Sequence, residues 1–286
     1  NIQVTGTRTF STGANYTYNG TSAQVTGNGL PATVNHLTLD NASGVTLSTS
    51  ASLDGDLTVS SGTFELDSNT ANRSSAGGTL TLAAGTTLKI GGTGSLPSDF
   101  TTHAVSSTST VEYNGTSQTV AALNSSQNYG TLVISGSGTK SLAGNVGIVN
   151  DLTISAGTFD LSTFTANRTA AGGTLLLDTG TTLALGGSSG GITGSNFPDA
   201  FTTYTLNGTV EYNGAGAQTV AVLAYTNILF SNSGTKTVDG TITFNGDFTV
   251  GAGSTVQVAA TAVLQINGSL TVTTGFTNDG TMTVGN

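Results

Sequence analysis

Residues 37–82 read LTLDNASGVTLSTSASLDGDLTVSSGTFELDSNTANRSSAGGTLTL. Three apolar-Thr-apolar triplets stand in this stretch: Leu37-Thr38-Leu39, Leu57-Thr58-Val59 and Leu80-Thr81-Leu82. They are spaced 20 and then 23 residues apart. Alternation of period two sends two side chains to one face and Thr to the other, the pattern of a half-buried strand. Second short strands, Val45-Thr46-Leu47 and Phe64-Glu65-Leu66, lie between the triplets, and Gly, Asn, Asp and Ser separate them as turn residues. No window sustains a helical period over three turns.

The same steps recur. Leu132-Val133-Ile134 leads to Leu152-Thr153-Ile154 and Leu175-Leu176-Leu177, and Ile228-Leu229-Phe230 leads to Phe248-Thr249-Val250 and Leu270-Thr271-Val272. An outer period of about 95–100 residues encloses them. Tyr18-Asn19-Gly20 returns as Tyr113-Asn114-Gly115 and Tyr212-Asn213-Gly214, and Thr70-Ala71-Asn72-Arg73 returns as Thr165-Ala166-Asn167-Arg168. A step of about 20–23 residues holding two or three strands is one solenoid coil. The sequence therefore predicts an all-β chain, a β-solenoid of the parallel β-helix kind. It would run continuously over 1–286 in internal repeats 16–108, 109–207 and a divergent 208–286. About thirteen coils at ~4.8 Å would make a rod on the order of 60 Å long. An array of antiparallel sandwiches would use the outer period as an immunoglobulin-sized module. The constant short step favours the solenoid.

Composition narrows the function. Of 286 residues only 7% are charged, against roughly 25% in ordinary soluble domains. Thr is about a fifth of the chain and Cys is absent, which excludes a disulfide framework and thiol chemistry. Six Lys and Arg stand against fifteen Asp and Glu, too few cations for a phosphate backbone or an anionic membrane surface. No apolar run approaches the ~20 residues of a membrane-spanning helix.

The run Thr110-Val111-Glu112-Tyr113-Asn114-Gly115 through Gln118-Thr119-Val120, Leu132-Val133-Ile134, Gly138-Thr139-Lys140 and Asp151-Leu152-Thr153-Ile154 resembles a known type of repeat, as does the segment from Phe159 to Gly187. Both are similar to the β-strand repeats of large bacterial cell-surface and adhesin-like proteins, often exported by the type nine secretion pathway. The resemblance implies surface exposure and a structural or adhesive role, and it implies no catalytic residues.

Candidate sites follow the repeats. Asp56, Asp151 and Asp247 each precede a strand triplet at the same place in a coil. A carboxylate needed once for hydrolysis has no reason to recur at each coil edge, whereas a turn Asp bonding its own backbone two residues on does. Asp54 beside Asp56 is the close carboxylate pair of note, and it has no counterpart pair in the other copies. Gly91-Gly92-Thr93-Gly94-Ser95 has the glycines of a repeat-borne calcium loop but no Asp. Arg73 and Arg168, with Asp67 and Asp160 upstream, read as loop clamps on a carboxylate or carbonyl rather than as an anion or sugar site. His36 and His103 do not align, and Tyr204 stands in place of His103 in the next copy, as filler positions would. Tyr18, Tyr113 and Tyr212 suit either a sugar-stacking ladder or coil corners filled with the hydroxyl outward, and the second is preferred. Nine Asn-X-Ser/Thr triplets permit glycosylation.

No metal, cofactor or catalytic residue is expected. The leading expectation is a non-enzymatic extracellular filament subunit, joined to copies of itself through strand-like termini at Ile2, Val4, Phe10, Met282 and Val284. The other is an adhesin or carbohydrate-binding module that meets surface glycans. Purified protein should leave polysaccharides uncut in a reducing-end assay. Robust cleavage abolished by Asp54→Ala or Asp56→Ala would overturn the non-enzymatic expectation.

Overall fold

The computed structural model describes residues 11–285 except 125, 189, 190 and 193. Ile2, Val4 and Phe10 lie outside the described residues. Among the described residues there is no α-helix. One 3-10 turn, Gly27–Gly29, accompanies strands of two to six residues there, and neighbouring strands such as Leu57–Ser61 and Gly77–Leu82 pair in parallel. Backbone contacts divide the chain into two compact units. The first comprises 1–138 with 148–150, and the second 139–147 with 151–286.

In the first unit the chain visits three sheets in turn. One contains Tyr16–Tyr18, Leu37–Asp40, Leu57–Ser61, Gly77–Leu82 and Phe100–Val105. The next contains Gln24–Val25, Val45–Thr46, Thr63–Glu65, Thr87–Ile90, Thr110–Tyr113 and Thr131–Ile134, and the third Thr33–Val34, Ala51–Leu53 and Ala71–Arg73. Leu37 pairs with Leu57 and Leu57 with Leu80, while Thr38, Thr58 and Thr81 form the neighbouring column. The leucines are fully buried and the threonines half-exposed, as the alternation predicts. An outer column runs Glu65, Lys89, Glu112, in which Lys89 Nζ lies 3.2 Å from Glu112 Oε2.

The second unit repeats the plan. Its longest stack joins Thr139–Leu142, Thr158–Asp160, Thr182–Leu185, Thr209–Tyr212, Asn227–Phe230, Phe248–Val250 and Leu270–Val272. Phe159, Leu183, Val210, Ile228 and Phe248 make one buried column there. Leu270 stands next in this column and is half-buried.

Within each unit the sequence repeat and the coil are out of step. In the first unit Tyr18 and its counterpart Tyr113 lie on successive sheets. In the second, Leu152–Ile154 and its counterpart Phe248–Val250 also lie on different sheets. One repeat thus fills a whole number of coils plus one further side. The extra side comes where residues 91–98 carry no strand and the chain re-enters the first sheet at Phe100–Val105.

Turns stack as tightly as strands. Gly62 has φ +70°, and a Cβ there would run into Asn41 O. A Cβ on Gly115 would strike Gly92 O. The Gly91-Gly92 turn is therefore a backbone contact between coils, which only a residue without a side chain permits. Leu80→Ala should cost about 2–5 kcal/mol by leaving a hole in a fully buried column. Urea denaturation should show this as a lower midpoint, whereas Thr81→Ala, on the half-exposed column, should shift it little.

Candidate functional site

The residues singled out by sequence fall at coil edges, and their partners are mostly backbone groups of a neighbouring coil. Asp56 Oδ1 accepts the Thr79 amide at 2.8 Å, Asp151 Oδ1 accepts Thr174 at 2.7 Å, and Asp247 Oδ1 accepts Ser269 at 3.3 Å. The expected bond to the chain two residues on is not the one made. These side chains reach 22–23 residues ahead, because the coil above brings an amide closer than the local turn does. The two-residue turn bond does occur at Asp160, whose Oδ1 accepts the Ser162 amide at 2.7 Å. Asp54 Oδ1 accepts the Ser74 hydroxyl at 2.5 Å, so the two neighbouring carboxylates have separate partners. His36 Nδ1 accepts the Asp56 amide at 2.8 Å and also lies 3.4 Å from Asp56 Oδ2. Asn227 Oδ1 accepts the Asp247 amide in the same way at 2.9 Å.

Arg73 clamps a loop through carbonyls. Nε donates to Gly55 O at 2.9 Å, Nη1 to Ser75 O at 2.5 Å, and Nη2 to Asp54 O. Arg168 Nη1 donates to Ala170 O at 2.6 Å. Gly77 and Gly172 lie against these guanidiniums, and a Cβ on either would meet Nη1.

The tyrosines correct an expectation. Tyr113 and Tyr212 are fully buried and cannot stack on a sugar from solvent, and their hydroxyls point inward. Tyr113 Oη lies 3.2 Å from Tyr129 Oη, and Tyr212 Oη 3.2 Å from Tyr225 Oη. Tyr225 Oη donates to Ala221 O at 2.7 Å, while Tyr212 Oη accepts the Ala221 amide at 2.9 Å. The pair thus holds the loop that follows Gln218–Thr219. Burial raises the pKa of Tyr212 to about 12 and that of Tyr225 well above the ordinary value. Tyr18 is half-buried and donates to Thr26 O at 3.3 Å. Of the possible glycosylation sites, Asn41 is 1% exposed and bonded through both ends of its amide.

Sequence reasoning missed two buried polar groups. The first is the recurrent Gln. Gln118 Oε1 accepts the Gly115 amide at 2.8 Å while Nε2 donates to Ile90 O at 2.8 Å, and Gln218 does the same with Gly214 at 3.0 Å and Leu185 O at 2.8 Å. The second is Lys140 and Lys236, both with no exposed surface. Lys236 takes an inward position above Gln218, and its Nζ donates to Gly214 O, to Ser233 O at 3.0 Å and to Gly216 O at 3.2 Å. In the first repeat the same position is Val45, and the carbonyl matching Gly216, Ser22 O, is taken by Asn41 Nδ2 at 2.8 Å. The available signal was the alternation itself, which places Lys236 on the buried face of Thr235–Val238.

Met282 and Val284 continue the inward columns above Leu264 and Ile266. Thr281 and Gly285 donate their amides back to Ala262 O and Ile266 O. In a parallel strand the alternate residues then direct their N–H and C=O outward from the ladder, and these are Met282 and Val284. Among the described residues no group of three or more His, Cys, Asp or Glu comes together, and no helix is long and apolar enough to cross a membrane. Comparison with known protein families, with curated proteins and with solved structures finds no match.

Burial lowers the Lys236 pKa to about 8. Between pH 8 and its ordinary value near 10.5, the unfolded chain holds a proton that the folded chain has released, so stability from this group rises with pH across that window. Thermal melts from pH 7.5 to 9.5 should show the wild type gaining on Lys236→Met. Parallel pH curves would contradict this. Tyr212→Phe should cost about 1–3 kcal/mol by leaving the buried Ala221 amide without an acceptor, measured by urea midpoint.

Proposed function

We propose that this is a non-enzymatic structural protein of the cell surface or extracellular space, whose copies join head to tail through strand edges. The observation that carries the reading is where its polar side chains are used. Asp56, Asp151, Asp247, Gln118, Gln218 and Lys236 recur or stand at repeat positions, and each bonds the backbone of an adjoining coil or turn. Groups so occupied serve stacking rather than chemistry on a substrate. Two of the six cations, Lys140 and Lys236, are fully buried, which further weakens any nucleic-acid reading. The low charge, the high Thr content and the resemblance to surface repeats favour an extracellular setting.

Joining would use the coil of Thr281–Val284, whose strand carries apolar side chains. Leu270, Phe276 and Met282 are half-buried there, and Val272 and Val284 are exposed at 43% and 41%. A strand edge of this kind accepts another strand, which satisfies its backbone groups and covers its apolar side chains. Repetition of such a contact without closure makes an open filament. The second reading, an adhesin module that meets surface glycans, is favoured by the cleft beside His103.

Val284→Pro removes one outward amide and leaves the bonds to the preceding strand in place. Sedimentation velocity should show the intact chain associating with rising concentration and Val284→Pro remaining monomeric. An intact chain that stays monomeric at high concentration would end the filament reading in favour of the adhesin.

A further inference from the structure

In the first unit the inward column Leu37, Leu57, Leu80 ends on His103. Strand Phe100–Val105 is the last of its sheet, and loops lie over it. A cleft of about 530 Å³ opens at that place, lined by residues of 93–103 and 119–124. This lies within the usual size of small-molecule sites. The cleft lies where residues 121–124, which form no strand, pass over the column that ends at His103.

The second repeat provides an internal control. Tyr204 stands at the position of His103, pairing with Leu175 as His103 pairs with Leu80. Its ring lies 5.8 Å from Phe197 and 6.2 Å from Phe201, and its hydroxyl donates to Pro198 O at 3.3 Å. There a larger side chain occupies the space and Phe197 stands for Leu96. The first repeat thus has the smaller residue at both positions.

The chemistry of the cleft is specific. His103 is 5% exposed, and its Nδ1 accepts the Asn124 amide at 2.9 Å. The ring proton therefore sits on Nε2, a donor with no other partner among the described residues. Burial lowers the His103 pKa, which keeps the ring neutral at pH 7. Asn124 Nδ2 donates to Phe100 O at 2.6 Å and braces the loop over the strand. Asp99 accepts the Ser98 hydroxyl on Oδ2 at 2.7 Å, leaving Oδ1 as an acceptor. Thr93, Ser95 and Thr119 also line the cleft, together with the apolar residues Leu96, Pro97 and Ala121. No Lys or Arg lines the cleft and one carboxylate does, so an anion is disfavoured.

We infer that this cleft binds a single neutral sugar ring, with Nε2–H of His103 and Asp99 Oδ1 meeting its hydroxyls and Leu96 and Pro97 its C–H face. A pyranose offers closely spaced donors and acceptors on an otherwise apolar ring, which is what these walls match. The inference is independent of head-to-tail joining.

The test titrates the full chain with glucose, galactose, mannose and N-acetylglucosamine in turn, read by saturation-transfer NMR and calorimetry. At least one should bind, and His103→Tyr should weaken it roughly tenfold or more, since the ring would both fill the cleft and remove the donor. The chain already carries Tyr at the matching position of the next repeat, which favours folding of this variant. Ala122→Trp, from an exposed wall position, should block binding independently. Tyr204→Phe should leave binding unchanged. No binding of any of the four sugars, or binding that survives both His103→Tyr and Ala122→Trp, would overturn the inference.

Discussion

Parallel, in-register pairing of each coil with the next is the constraint on which the rest of the molecule depends. It makes every residue the neighbour of its counterpart one coil away, so a position must suit a near copy of itself above and below. Leu over Leu and Thr over Thr meet that condition at Leu37, Leu57 and Leu80 and at Thr38, Thr58 and Thr81. Charge meets it only by alternating, as in Glu65, Lys89 and Glu112. The low charge of the chain follows from this, since like charges stacked at strand spacing repel.

The same constraint decides what polar side chains can do. A side chain at a coil corner finds backbone groups of the adjoining coil within reach, and the hydrogen bonds of Asp56, Gln118 and Lys236 all use them. Different residues solve one problem in different repeats. The carbonyl that Asn41 covers in the first repeat is covered by Lys236 in the third. Such exchange is possible because the requirement is for a donor at a place, not for a particular residue.

The strands and their inward faces were legible in the sequence because period-two alternation survives in every copy. The glycine turns were legible as turns, though the reason for Gly92 and Gly115, contact of one turn with the next, needed the stack. The direction of Asp56 is not legible, because a sequence shows the amide two residues on and hides the one 23 residues on. The inward hydroxyls of Tyr113 and Tyr212 are equally hidden, since nothing local announces that Tyr129 and Tyr225 will meet them inside. The step between repeat and coil was also illegible. An apolar triplet reads the same on any of three sheets, so its spacing cannot say which one it joins. Nor could the sequence show the cleft, which depends on two strandless segments, 93–98 and 121–124, meeting beside His103.

That step has a consequence for display. Were the repeat a whole number of coils, any feature encoded once per copy would form a row along one side, able to grip a flat surface at several points together. With one additional side per copy, consecutive features within a unit turn away from each other like the treads of a spiral stair. A planar partner can then engage one copy at a time, and avidity from neighbouring repeats is lost. In exchange, two copies within a unit present the same feature on two different sheets.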